Sequence, residues 1–389
     1  MFTPWIAGVF TTVPAAFPGS SIVAGAILTL LFGLPMFTTY AVLSAAMPRT
    51  GGEYVFQSRI FGGGVAFSIA GVSWTFWLAW WIAWNGQMNA TVALYPLFTI
   101  LGSSLGNTAL SNLGLWIATA DGTFVVALLS LIVWHVLVVY GGMRLFVRYQ
   151  RSIMVSIFVS IVLCIALFVS NTQSVFISKF NEFMLGYQSD PDYYHLVLNT
   201  AQSEGFDPNV PFNLVASLGI IPMLWGGMAW FNWSNFNLGE IKKADSVKRM
   251  LMSMPGAAIL WTVTMVIVML GTQYMVGDAF MKSLGYLFNS GSEVAGALAY
   301  PAFFPTFAAV VSGNPIIIFI IFLGAFTALS QFGWGIHYAF TRAVFAQAFD
   351  RLLPEKLTQI DSRTNQPAFA HTVLTILAIV ILILLSYTE

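Results

Sequence analysis

Eight apolar runs divide this chain, each close to or beyond the ~20 residues a helix needs to cross a ~30 Å hydrocarbon core. They cover Ser21 to Ala46, Val65 to Leu101, Phe124 to Tyr140, Ile153 to Val169, Phe212 to Trp233, Leu251 to Met275, Pro315 to Phe340 and Pro367 to Tyr387. The third is a little short, and the second is long enough to tilt or project beyond the bilayer. Unpaired peptide groups are too costly in lipid, so these runs read as helices rather than open strands. Composition agrees: 58% of the 389 residues are hydrophobic and 8% are charged, against roughly 25% charged in soluble domains. So few ionisable groups cannot cover a water-facing surface. The expected fold class is an all-α polytopic membrane protein.

The loops carry a second pattern. Arg49 and Arg59; Arg144, Arg148 and Arg151; Lys242, Lys243, Lys248 and Arg249; and Arg342, Arg351, Lys356 and Arg363 fall on alternate loops and make up 13 of the 15 Lys and Arg residues. The opposite side holds Lys179 and Lys282 among eight acidic residues, Asp121, Glu182, Asp190, Asp192, Glu204, Asp207, Asp278 and Glu293. The positive-inside rule makes the basic loops cytoplasmic and predicts a multi-pass protein of the cell membrane. The basic residues are too few and scattered for nucleic acid. Cys164 is the one cysteine, which rules out an internal disulfide and a cysteine metal cluster. Nothing in the sequence calls for a cofactor, and no cleavable leader is evident.

Before Ser21 lies an apolar piece, Phe2 to Phe10, followed by Thr11, Thr12, Pro14 and Pro18. It is about half a membrane helix in length. With the topology above, the expectation is a chain lacking the start of its first helix and anything after its ninth. A short re-entrant first segment is the alternative.

The loop Met47-Pro48-Arg49-Thr50-Gly51-Gly52-Glu53-Tyr54-Val55, followed by Ser58-Arg59, resembles the signature of the amino acid–polyamine–organocation transporters, in the flavour of prokaryotic amino acid permeases. Three further stretches are similar in the same order: Gly142-Met143-Arg144-Leu145 through Gln150-Arg151, Gly239-Glu240-Ile241-Lys242-Lys243, and Thr341-Arg342-Ala343-Val344-Phe345-Ala346 through Asp350-Arg351-Leu352-Leu353-Pro354. A Gly-Gly pair or a Leu-Leu-Pro is an ordinary turn or stop on its own. Four in order at helix ends are far more specific. The resemblance implies inverted five-helix repeats with broken first and sixth helices, about nine helices being present. It divides a single transporter domain, 1–389, into a first repeat at 1–170, an extracellular loop at 171–211 and a second repeat at 212–389. It also implies transport of an amino acid or similar small organic solute by alternating access.

A solute site in such a fold uses backbone groups set free where helices break. The candidate break in the sixth helix is Trp225-Gly226-Gly227-Met228-Ala229-Trp230, since glycines weaken a helix and permit close backbone approach. Close helix packing is the competing reading of the same glycines. Thr3, Pro4, Ala7 and Gly8 occupy the equivalent part of the first helix. Trp225, Trp230 and Phe231 could wall the pocket and face a substrate ammonium, or simply pack. Among Trp74, Trp77, Trp80, Trp81 and Trp84, read mainly as packing and interfacial anchors, Trp77 is the candidate for the pocket. Asn232, Ser234 and Asn235 add hydrogen-bonding capacity. The family often has a glutamate near this point, whereas the chain has Trp230-Phe231-Asn232, which favours a neutral or zwitterionic solute.

Coupling to H+ or Na+ is open on sequence. A lysine that some family members carry in the fifth helix is missing from Val155-Ser156-Ile157-Phe158. Thr327 and Ser330 are the sodium candidates, although helix hydroxyls commonly bond back to the preceding turn. His135 and His337 are the titratable groups at depth. An embedded enzyme would need a catalytic constellation, yet His135, His195, His337 and His371 are dispersed along the chain without a His-Glu-x-x-His pattern. A non-transporting sensor or inactive fragment of the same fold is the remaining alternative.

Overall fold

The structure, a computed structural model, describes residues 13–388, the side chains of residues 73 and 74 apart. The expected half-helix with Thr3, Pro4, Ala7 and Gly8 lies outside the described residues. The described chain is helical and has seven stretches long and apolar enough to cross a membrane. We label α1 as Ile22–Ala46 and α2 as Gly63–Leu105. The stretch Ala120–Ser170 is 51 residues long and would reach roughly 77 Å if straight. It is two helices: Gly142 has φ 60° and ψ −174°, which separates α3 (120–141) from α4 (143–170). The remaining spans are α5 (Leu214–Glu240), α6 (Val247–Val276), α7 (Pro315–Phe349) and α8 (Ala368–Tyr387). All eight apolar runs therefore become helices, and the arginine-rich loops share one end.

Helix starts at the opposite end are closed by side chains, because the first amides of a helix have no partner within it. Ser21 accepts from the Ala24 amide, Asn213 from Val215 and Ala216, and Asn314 from Ile316 and Ile317. The starts of α1 and α5 are tied together by Ser21 N donating to Ser217 Oγ at 3.0 Å and Asn213 N to Gly19 O at 2.8 Å. Further along, Gly33 admits α5 so closely that a Cβ there would lie 2.6 Å from the Trp225 ring. Small residues at crossings are how membrane helices gain packing contact.

Two large apolar clusters fill the bundle. One gathers α1, α4, α6 and the outer segments; the other gathers α2, α3 and α8. Among the described residues α5 and α7 contribute to both: Ile220, Leu224 and Met228, with Ile321 and Phe322, lie in the first, and Trp230, Trp233 and Phe332 in the second; α2 reaches the first through Leu97 and Ile100. The outer loop 171–211 is not the loose surface its length suggests. It forms the helices Gln173–Met184 and Tyr193–Ser203, whose aromatic faces seat on Asp278–Ser290. Tyr194 stacks on Phe280 at 4.3 Å between ring centres and donates to Val276 O at 2.9 Å.

Gly142 supplies the sharpest test of this architecture. Its backbone lies in a region that side chains resist, and a Cβ would approach Thr364 O to 2.9 Å. Gly142→Ala should lower stability by about 1–3 kcal/mol, seen as a lower unfolding midpoint in detergent. Gly63→Ala, where a Cβ meets nothing within 4 Å, should leave it unchanged.

Candidate functional site

The stretch Trp225 to Trp230, expected to break, instead changes helix type: the glycine pair stays within an α-helix and no backbone group is set free at it. An α-helix runs over Ile221–Met228 and gives way to a 3-10 helix over Ala229–Glu240. Asn237, at φ −111° and ψ 19°, kinks this segment, and the 3-10 run before it is still longer than the usual 3–4 residues; mid-helix stretches of this kind mark hinges or strain. The change comes just past the glycine pair. The Ala229 amide still bonds Trp225 O, but the tighter register moves later amides one carbonyl along. The Gly226 carbonyl, placed at this changeover, accepts the Trp230 indole Nε1–H at 2.6 Å. Gly226 itself faces open space, where a Cβ would meet nothing within 4 Å, while Gly227 is buried.

The structure sorts the tryptophan candidates into two groups. Trp230 sits in an aromatic cluster with Trp77 at 5.6 Å, Trp81 at 4.8 Å, Trp233 at 5.0 Å and Phe332 at 6.1 Å. Trp225 turns the other way and stacks on Phe37 of α1 at 5.7 Å. Trp77, Gly226 and Trp230 are therefore brought together, and Trp225 is not among them.

Below this cluster the 3-10 segment carries a row of buried polar atoms with no hydrogen-bond partner in the protein: Asn232 Oδ1, Ser234 Oγ, both amide atoms of Asn235, and Asn237 Oδ1. Buried polar groups are almost always paired, so a concentration of exceptions over two turns of structure points to a ligand or water. Ser234 and Asn237 line a cavity of about 180 Å³ together with Gln150, Gln331, Tyr338 and the rings of Phe146, Trp233 and Phe332. The Tyr338 hydroxyl is likewise buried without a partner, and Gln331 Nε2 donates to Gln150 Oε1. Carboxylates and ammonium groups are absent from the lining. Sequence reasoning missed Gln150, Gln331 and Phe332. The signal for Gln331 was available, since an amide in the middle of an apolar run is as exceptional as a charge.

Asn232 has a second role. Its Nδ2 donates to Glu53 Oε1 at 3.0 Å, and the Tyr40 hydroxyl donates to the same oxygen at 2.7 Å. Glu53 follows the glycine pair of the signature loop, and those glycines explain how it arrives. Gly51 has φ 131° and Gly52 φ 62°; a Cβ on Gly51 would come within 2.6 Å of Ala346 on α7, and one on Gly52 would strike the Phe236 ring. The Gly51 amide donates to Phe236 O at 3.2 Å. The loop is thus keyed onto the 3-10 segment of α5. An acid absent from the Trp230-Phe231-Asn232 stretch is supplied by the loop beside it. Burial pushes the Glu53 carboxyl above its ordinary 4.5, and the bonds from Tyr40 and Asn232 pull it part of the way back.

The two sodium candidates both have partners. Thr327 Oγ1 donates to Leu323 O at 2.8 Å and lies 2.7 Å from Ser156 Oγ, the stretch where some relatives carry lysine. Ser330 Oγ accepts from Asn89 Nδ2 at 3.3 Å, and Asn89 opens a π-helical segment of α2, Asn89–Leu94. His135 and His337, far apart in sequence, converge with His371 between α3, α7 and α8. At the basic end Arg342 donates to Glu240 Oε1 at 2.9 Å, and the Tyr54 hydroxyl to Asp350 Oδ2 at 2.7 Å.

A helical bundle with seven stretches long and apolar enough to cross a membrane among the described residues defines a polytopic all-α membrane protein. Comparison gives the family. The family model for amino acid permeases matches residues 3–389, and the chain belongs to that family. It is a transporter family, not an enzyme family, and its members move amino acids across membranes. None of the curated proteins compared with the chain matches it.

The raised Glu53 carboxyl gives a pH signature. Its folded value lies above its unfolded one, so the folded state holds the proton more tightly and stability falls as pH rises from about 4.5 through the folded value. Glu53→Gln should remove that part of the slope in unfolding midpoints measured across the acid range. Glu53→Ala should be worse than Gln at every pH, by about 1–3 kcal/mol, because it strands the Asn232 amide and the Tyr40 hydroxyl.

Proposed function

We propose that the chain is a secondary or facilitative carrier that moves an amino acid or similar small neutral or zwitterionic solute across the cell membrane by alternating access, the solute resting at the 3-10 segment of α5. The observation that carries this reading is the row of unpartnered polar atoms from Asn232 to Asn237 on a stretch that has left the α-helix within a span. Amide and hydroxyl groups hold a solute by hydrogen bonds without demanding a net charge, which suits a zwitterion. The cavity of about 180 Å³ is smaller than the roughly 300–1,000 Å³ of drug-sized pockets, so the solute is small.

Alternating access needs two bodies that rock about shared elements. Two apolar clusters that share α5 and α7 supply such an arrangement. The repeat boundary at the outer loop, 1–170 against 212–389, belongs to this reading. So do Thr3, Pro4, Ala7 and Gly8, which complete the site from the first helix, and Trp77 and Trp230, which wall it. Trp225 supports α5 from the α1 side.

Exchange of labelled amino acids in proteoliposomes tests the proposal. The wild type should exchange a subset of them. Gly226→Leu, which fills open space without a clash at its Cβ, should cut exchange at least about tenfold, or about 1.4 kcal/mol of barrier, with the unfolding midpoint retained. Unaltered exchange in that variant would remove the site from α5. Stabilisation by an amino acid without exchange would favour a sensor.

A further inference from the structure

Away from the solute cavity, the wall between α3, α7 and α8 holds three of the four histidines. His337 and His371 are both fully buried and face each other with ring centres 5.7 Å apart. Neither ring nitrogen of either residue has a partner in the protein. An imidazole is always a donor, an acceptor or both, and four orphaned nitrogens at one contact would be a heavy cost in a packed membrane interior. The rings do not hydrogen-bond each other directly, so what satisfies them has to come from a water or an added proton, and a water needs two to four polar partners.

The pair is not isolated. Thr375 Oγ1 donates to His371 O at 2.9 Å and lies 3.0 Å from His135 Nδ1. A hydroxyl has one hydrogen, so His135 is the donor and carries its proton on Nδ1. His135 is only partly buried. His135 and Thr375 therefore fix the His371 backbone beside the pair, at the partly buried edge of the bundle.

The charges around it are few. On α7, Tyr338 packs edge-on to His371 at 6.0 Å, and Arg342 lies over the Tyr338 ring at 5.2 Å. From α5 comes Glu240, already engaged by Arg342, which also donates to Gln366 Oε1 at 3.2 Å just before α8. The segment Glu355–Thr358 adds Lys356, which lies over Phe369, and Glu355. From α4, Tyr149 packs tilted against Trp334; beyond Arg342 on α7, Asp350 is held by Tyr54. Glu240 is matched by Arg342, so an added proton at the histidines would be an uncompensated charge within the bilayer. Such a charge is expensive there, and it becomes affordable when the helices part and water reaches it. Proton occupancy is then tied to conformation, which is the requirement for coupling.

We propose that His337 and His371 form a proton-binding site that couples the carrier's conformational cycle to the proton gradient. The proposal rests on the transport reading. Among the described residues no group of three or more His, Cys, Asp or Glu is placed to hold a metal ion.

Proteoliposomes separate the two claims. Equal pH on both sides reads amino acid exchange, and an imposed pH gradient reads accumulation. Wild type should do both; His337→Gln and His371→Gln should keep exchange and lose gradient-driven accumulation. Accumulation that survives in both variants overturns the proposal, as does a wild type that exchanges but ignores the gradient. A wild type that does not exchange overturns the transport reading, and the proposal with it. Imidazole ¹⁵N NMR of the wild type needs no substitution. With an exchangeable amino acid present, both resonances should move between about pH 8 and about pH 5, the range over which imidazoles titrate. Resonances that keep the neutral form throughout overturn the proposal.

Discussion

A peptide group that gives up its α-helical partner inside a bilayer has to find another, and this requirement organises α5 and what surrounds it. Lipid offers no hydrogen bonds, so a span can leave the α-helix only where protein, water or solute replaces them. In α5 the replacements are visible. The Trp230 indole takes the Gly226 carbonyl at the changeover, the 3-10 register carries the backbone onward, and the signature loop seals the far end through Gly51 and Phe236. Polar side chains without protein partners remain on this segment, beside the cavity.

The same requirement explains the signature loop. Met47 to Val55 is a motif on sequence and a wedge in space. Its two glycines have no room for a Cβ because α7 and the Phe236 ring occupy it, and its glutamate ends between Tyr40 and Asn232. Loop, α1, α5 and α7 are thereby joined at the basic end, where Arg342–Glu240 and Tyr54–Asp350 add polar ties. Any motion that opens the cavity toward that end has to loosen this group of contacts together. Partly buried ionic and hydrogen-bonded contacts that exchange partners are common elements of two-state changes.

Much of the fold was legible in the sequence because the bilayer permits few solutions. Helices from Ile22–Ala46 to Ala368–Tyr387 follow from apolar length alone, and the arginines that mark one end needed no tertiary knowledge. The glycine pair also located the irregular part of α5 to within a few residues. Other features depend on which faces meet, which spacing does not record. Trp225 and Trp230 are five positions apart and belong to opposite sides of the helix, one stacked on Phe37 and the other among Trp77, Trp81 and Trp233. His135, His337 and His371 look scattered until α3, α7 and α8 bring them together. The outer segment 171–211 reads as a loop because its helices are short, and only their seat on Asp278–Ser290 makes them part of the core.

The central claim is that the 3-10 half of α5 holds the solute through groups the protein leaves unpaired, and site-directed alkylation tests it most directly. Cys164, the chain's single cysteine, is buried, so Ser234→Cys places one reactive thiol at the cavity. The account predicts that a small thiol reagent labels this position in the membrane-embedded protein and that a transported amino acid slows the labelling in proportion to its occupancy. Labelling that proceeds at the same rate with and without every exchangeable amino acid would contradict it.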